Sequence, residues 1–243
     1  PKIIDISHEI SPFNLIEAAY VIKNAYSNFP RGSIHIVDID SEQTPDQSHI
    51  VIEMDEHFFI CADNGIISLI SSTIKPSKIF KINIGLHSAN TINNFVKVAA
   101  HLQRGGQLNV IGTEIFEIKE LTELKPIIKS NNELICNVIY IDNYGNVITN
   151  ITKDFFEKFQ ANRSFVINAR NIKFKQIFSS YSESINFNKE KKYREEDGKK
   201  VALFNSSDFL ELSIYKSNPK TSGGASSLFG LGYGDVISIL FND

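Results

Sequence analysis

A chain of 243 residues, 42% hydrophobic and 22% charged, can bury one large core or two modest ones, which excludes disorder of the whole chain. The formal charge of −3 arises from intermingled acidic and basic residues, so no sequence-wide field exists to hold a polyanion or an anionic bilayer, and neither nucleic acid nor membrane is expected as a partner. No apolar run approaches the about 20 residues of a membrane-spanning helix, "PKIIDISHEI" lacks the regions of a secretory signal, and Cys61 and Cys136 sit far apart in apolar runs like free thiols of a reducing compartment, so the protein is read as cytoplasmic.

The first half alternates strand-like and helix-like patterns. "KIIDI" reads as a short β-branched strand, and after Pro12 the residues Leu15, Ala18, Ala19, Ile22, Ala25 and Tyr26 recur at helical spacing. "GSIHIVDID" is a second strand, "HIVIEM" and "HFFICAD" a hairpin pair, and "KIFKINI" a further strand. Asn94 is placed as the cap of a helix over "FVKVAAHLQRGG", which Gly105 and Gly106 end. This alternation predicts an α/β amino-terminal domain over residues 1–128, a Rossmann-like sheet with helices on both faces. The pattern changes near the polar stretch 125–132. Beyond it "ELICNVIYID", "NVITNIT", "SFVINARNIKF", "KKVALF", "FLELSIY" and "DVISILF" are short, β-branched and aromatic, and predict an all-β barrel domain over 129–243. The mixed-charge run 188–200 reads as a solvated loop between its strands.

Several chemistries lack their patterns. There is no G-x-G-x-x-G and no P-loop, no G-x-S-x-G elbow, and no His or Cys spacing that suits a metal, so no metal is expected. The glycine-rich "SGGASSLFGLGYG" is either a loop over something small or merely flexible. What remains is a set of carboxylates, amides and hydroxyls at strand ends. Asp40 ends a strand where α/β sheets place ligands. Asp63, Asn64 and Gly65 precede an apolar run and read most simply as a helix cap. In "YIDNYGNVITNIT" a plain hairpin would need little beyond Asn-Gly, yet Asp142, Asn146, Thr149 and Asn150 surround one glycine. Asn205, Ser206, Ser207 and Asp208 lie between two strands. Such groups suit a zwitterionic or ribose-bearing small molecule.

The order of "IIDISHEISPFNLIEAAYVI", "FPRGSIHIVDID", "ADNGIISLI", "VAAHLQRGG", "YIDNYGNVITNIT", "NSSDFLELSIY" and "LFGLGYGDVISI" resembles the S-adenosylmethionine hydroxide adenosyltransferase family, relatives of the fluorinase and chlorinase enzymes. The resemblance implies an α/β domain followed by a β-barrel, in homotrimers that bind S-adenosylmethionine as substrate between one subunit's first domain and its neighbour's second. It also implies attack of water or hydroxide on the ribose 5′ carbon, giving adenosine and methionine. Carried over, Asp142 and Asn146 match positions holding the methionine end, Ser206 and Ser207 a neighbouring polar turn, and Ala225 the loop whose backbone meets adenine. Phe13 and Phe29 match apolar contacts to the nucleoside. The family usually opens with a strand and a Thr-Asp-Phe-Gly turn, whereas this chain enters about one strand and one helix later. On the catalytic side Asp40 is kept, but Gln47 stands where an Arg is expected and Asn90 where a His is expected, with His87 three residues earlier. The implied activity is therefore S-adenosylmethionine hydrolysis, with a non-catalytic adenosyl- or nucleoside-binding protein as the alternative and halide-dependent chemistry as a third idea.

Overall fold

A computed structural model describes residues 1–71, 74–83 and 90–242. The chain divides into two compact units, Pro1–Glu123 and Leu124–Asp243.

The first unit is a five-stranded mixed sheet with helices on both faces. Its strands are β1 (Ile34–Val37), β2 (His49–Met54), β3 (His57–Ala62), β4 (Lys78–Ile82) and β5 (Gly112–Glu114), in spatial order β1-β3-β2-β4-β5. Only β1 and β3 run parallel; every other pair is antiparallel. The β2–β3 hairpin turns through Asp55 and Glu56, whose φ angles of 52° and 60° match the right-handed twist of the strands they join. Side-chain alternation explains the unbroken apolar runs in β2 and β3. Ile50, Ile52, Phe59 and Cys61 face helices α1 (Leu15–Ala25) and α2 (Ile66–Ile70), while Val51 and Ile60 face α3 (Thr91–Gln103) and α4 (Leu108–Ile111). The helix expected after Pro12 is α1, whose Ala18, Ala19 and Ile22 are buried on that first face.

Two expectations need correction. "KIIDI" forms no strand: Ile3 is 84% exposed and nothing among the described residues pairs with the segment, and a β-branched run without a neighbour has no ladder to join. Helix α3 starts four residues earlier than its apolar pattern suggests. Asn90 caps it by accepting from the Asn93 amide at 3.2 Å, and Asn94 is buried inside the helix.

The second unit is a nearly closed antiparallel barrel. Its strands are β6 (Ile127–Ser130), β7 (Glu133–Ile141), β8 (Val147–Thr152), β9 (Ser164–Ala169), β10 (Ile172–Phe174), β11 (Lys200–Phe204), β12 (Phe209–Ile214) and β13 (Val236–Asn242). Seven follow the order β10-β9-β13-β7-β8-β12-β11, and β6 pairs with β7. The path nearly meets itself where the Phe178 amide donates to the Ala202 carbonyl at 2.8 Å, bridging toward β11. Leu134, Cys136, Val147, Ile151, Ile167, Leu210, Leu212, Ile237 and Ile239 fill the core. Helix α5 (Lys153–Gln160), absent from the sequence reading, is announced by Thr152, whose hydroxyl accepts from the Phe155 amide, and by Phe156, which buries itself in that core. The glycine-rich stretch is not merely flexible: it contains α6 (Ala225–Phe229), with Ala225 and Phe229 buried. Cys61 and Cys136 are both buried and free, and burial pushes each thiol up, Cys136 to about 12. Among the described residues no helix is long and apolar enough to cross a membrane.

Candidate active site

Within the first unit the polar residues gather beyond the carboxyl end of β1. The strand stops at Val37, and Asp40 lies three residues on with φ +45°, a left-handed conformation that costs a non-glycine residue energy. Its surroundings hold it there. The Gln47 side-chain amide donates to the carbonyls of Asp40 at 2.7 Å and Glu42 at 3.1 Å, and the buried Asn64 amide donates to the carbonyls of Ile39 at 2.9 Å and Asp40 at 3.1 Å. Asn64 Oδ1 meanwhile accepts from the Ile66 amide at 3.1 Å, so Asn64 ties the start of α2 to the loop rather than serving only as a cap. The next carbonyl, that of Ser41, meets buried His49 Nε2 at 2.8 Å and the Thr91 hydroxyl at 3.4 Å, which brings the first residue of α3 to the same loop.

The consequence is a contrast between backbone and side chain. Four amide hydrogen bonds fix the loop around Asp40, while its carboxylate is exposed and takes no donor among the described residues. Ser41 donates its hydroxyl to Asp38, and Asp38 is likewise exposed. Gln47 therefore acts on the loop through its amide. Asn90 spends its side chain on capping α3, adjacent to Thr91. His87 lies outside the described residues.

Phe13 and Phe29 stand at opposite ends of α1. Phe13, with φ +61° and 76% exposed, leads into the helix. Phe29 follows its last turn and packs edge-on against His35, with ring centroids 5.5 Å apart. An 11-residue helix spans about 16 Å, so the two rings do not share a contact surface.

In the second unit the turn 142–146 is built almost entirely from its own groups. Asp142 Oδ1 accepts from the amides of Tyr144 at 2.9 Å and Asn146 at 2.8 Å, and Oδ2 accepts from Asn146 Nδ2 at 2.9 Å. Both carboxylate oxygens are thus engaged inside the turn. The turn then rests on the start of α6: the Ser226 amide donates to the Gly145 carbonyl at 2.8 Å. A Cβ on Gly224 would stand 2.7 Å from the Tyr144 carbonyl oxygen, so only glycine lets the two backbones meet. Asp142, Asn146 and Ala225 consequently form one cluster.

Ser206 and Ser207 do not join it. The register pairs Phe209 with Thr152 and Leu212 with Val147, and the Lys153 amide donates to the Asp208 carbonyl. Their turn therefore lies at the far end of β8, and six strand residues span about 17 Å. What spans that distance is a polar row that the sequence reading missed. Buried Glu211 accepts from the Tyr181 hydroxyl at 2.5 Å, Tyr181 stands 3.5 Å from Asn146 Nδ2, and the Asn205 side chain is a further partner of Glu211. Burial pushes the Glu211 carboxyl up, an effect the Tyr181 hydrogen bond opposes and the nearby Asp142 charge reinforces. Burial, and then the bond to Glu211, also raises the Tyr181 hydroxyl. A signal existed: Glu211 is the lone carboxylate in the apolar run "FLELSIY".

Residues 1–112 match the model of the SAM hydroxide adenosyltransferase N-terminal domain, and residues 136–238 that of the C-terminal domain. Along 99% of this chain and 83% of the relative, the sequence is 31% identical to an (R)-S-adenosyl-L-methionine hydrolase of Methanocaldococcus jannaschii. Among solved structures, an uncharacterized conserved protein from Thermotoga maritima superposes with a TM-score of 0.79 at 25% identity, covering 99% of this chain and 89% of that one. A conserved hypothetical protein from Thermus thermophilus shares the fold, with a TM-score of 0.72 at 19% identity over 100% and 88% of the two chains. With both domain models matched in order and a relative so similar from end to end, this chain belongs to the SAM hydroxide adenosyltransferase family.

Proposed function

We propose that this protein hydrolyses S-adenosyl-L-methionine to adenosine and methionine. The observation that carries the reading is the end-to-end match to a hydrolase of that substrate, joined to a loop that strains its backbone to present one unengaged carboxylate, Asp40. In the reaction a water oxygen bonds to the ribose 5′ carbon as the bond from that carbon to sulfur breaks. The electron pair stays on sulfur, which leaves as the neutral thioether of methionine, and one water proton is released. Water is a weak nucleophile and gains from a positioned base, while the sulfonium is a good leaving group that needs no acid. Asp40 is assigned the first role; exposed Asp38 and Glu42 in the same loop add negative charge that favours a cationic substrate. Gln47 and Asn90 act as positioning residues, one for the loop and one for α3. Asp142, Asn146 and Ala225 hold the substrate in the barrel unit, and the protein works as a cytoplasmic homotrimer.

The test is chromatography of S-adenosylmethionine incubated with enzyme. Wild type should form adenosine and methionine in equal amounts, and Asp40→Ala should be slower by about 100- to 10,000-fold. An unchanged rate in the variant removes Asp40 from catalysis; no adenosine from the wild type removes the hydrolase reading. One observation favours a second reading, a nucleoside-binding protein without turnover: the side chains of Gln47 and Asn90 serve the backbone and supply neither charge nor base. Calorimetric binding without product would select it.

A further inference from the structure

The Asn146 amide sits at the head of a row of groups whose donors and acceptors run in one sense while Asp142 and Glu211 are ionised. Asp142 as a carboxylate only accepts, so Asn146 must turn its Nδ2 toward it, at 2.9 Å. Glu211, 3% exposed, only accepts when ionised, so the Tyr181 hydroxyl must spend its single proton on it, at 2.5 Å. The Tyr181 oxygen is then left as an acceptor, and it faces the same Nδ2 at 3.5 Å, the outer limit of a hydrogen bond. Two acceptors therefore hold the nitrogen side of the amide. Asn146 Oδ1 takes no donor among the described residues.

We propose that Tyr181 and Glu211 are positioning residues for the reaction: together they fix the sense of the Asn146 amide, so that its carbonyl oxygen is turned away from both acceptors and is left to accept an N–H group of the substrate. The inference deepens the hydrolase reading and rests on it for the identity of the ligand. The shared chemistry is an N–H donor, which S-adenosylmethionine carries both as its α-ammonium and as the adenine amine. Tyr181 is 40% exposed and touches the amide from a loop outside the strands, a position where simple core packing does not require a hydroxyl.

Tyr181→Phe and Glu211→Gln test the proposal. The first removes an acceptor; the second keeps the shape but allows Gln to donate to Tyr181, which can then donate to Asn146 Oδ1 and reverse the row. Both should raise KM for S-adenosylmethionine about five- to tenfold, with kcat changed less than about twofold. Wild type should discriminate against one of two analogues, that lacking the α-amino group or that lacking the adenine amine, and both variants should lose most of that discrimination; the affected analogue identifies the group bound. A ligand-free readout separates this from failure of the hydrolase reading. In NMR spectra of the whole chain, the Asn146 side-chain amide protons should exchange slowly with solvent in the wild type and markedly faster in both variants. Unchanged exchange and unchanged discrimination in folded variants overturn the proposal whether or not the wild type turns over substrate.

Discussion

At the scale of single residues, the buried polar side chains of Asn64 and His49 fix the loop that carries the exposed Asp40 carboxylate. A second buried pair lies away from the candidate site. His35 Nε2 and His57 Nδ1 are 3.1 Å apart, with His35 stacked on Phe59 and flanked by Phe29 and by Tyr26, whose hydroxyl donates to Asp55. Burial, and then the neighbouring His57, lower the His35 imidazole to about 4. An unfolded histidine titrates near 6.5. Above that pH neither state binds a proton at His35, so it makes no pH-dependent contribution. As pH falls from about 6.5 toward 4 the unfolded chain takes up a proton that the folded one refuses, and stability falls by at most about 3 kcal/mol. Urea unfolding at pH 7 and pH 5 should show this loss in the wild type, and His35→Phe, which cannot titrate, should lose less over the same interval. Equal losses in both proteins would remove His35 as the cause. Little of this arrangement was legible in advance, because His35 and His57 lie 22 positions apart and only the parallel β1–β3 register makes them neighbours.

At the scale of elements, legibility followed the strength of periodic pattern and failed where a pairing partner or a cap decided. The β2–β3 hairpin and the barrel strands β7, β8, β11, β12 and β13 were visible because β-branched runs repeat between turn residues, whereas β6 hid in the polar stretch 125–132 and β9 and β10 read as one run. "KIIDI" has the same composition but no neighbour. Of the candidate site, Asp40 and the 142–146 turn were legible as polar residues at strand ends. The distance of Ser206 and Ser207 from Asn146 follows from register, which composition does not encode. Asn90 shows how a position can be read for chemistry and serve the backbone. If its role is capping α3, Asn90→Ala should lower unfolding free energy by about 1 kcal/mol, whereas Asn90→Asp, an equally good cap, should retain it. Thermal melts of the two variants give that comparison, and adenosine formation in Asn90→Asp should follow stability rather than collapse. A stable but inactive Asn90→Asp would return Asn90 to the chemistry.

At the scale of the whole molecule, each unit carries its own core and its own part of the candidate machinery. Asp40 belongs to the first unit, and Asn146 with Ala225 to the second. The proposed homotrimer makes a specific demand on this division, since a substrate held by the first unit of one subunit and the second unit of its neighbour requires both to be intact in different chains. Asp40→Ala and Asn146→Ala should each be inactive alone or nearly so. When the two proteins are unfolded together and refolded at equal amounts, trimers form from random mixtures of subunits. A shared site is then intact when one neighbour supplies Asp40 and the other Asn146, so activity should recover to about one quarter of wild type. Sites contained within single subunits cannot be repaired by mixing, and the mixture would stay as inactive as its components. A molar mass of three chains by light scattering, together with recovered activity, supports the shared trimeric site; a monomer with no recovery sinks it while leaving the roles of Asp40 and Asn146 to stand on their own variants.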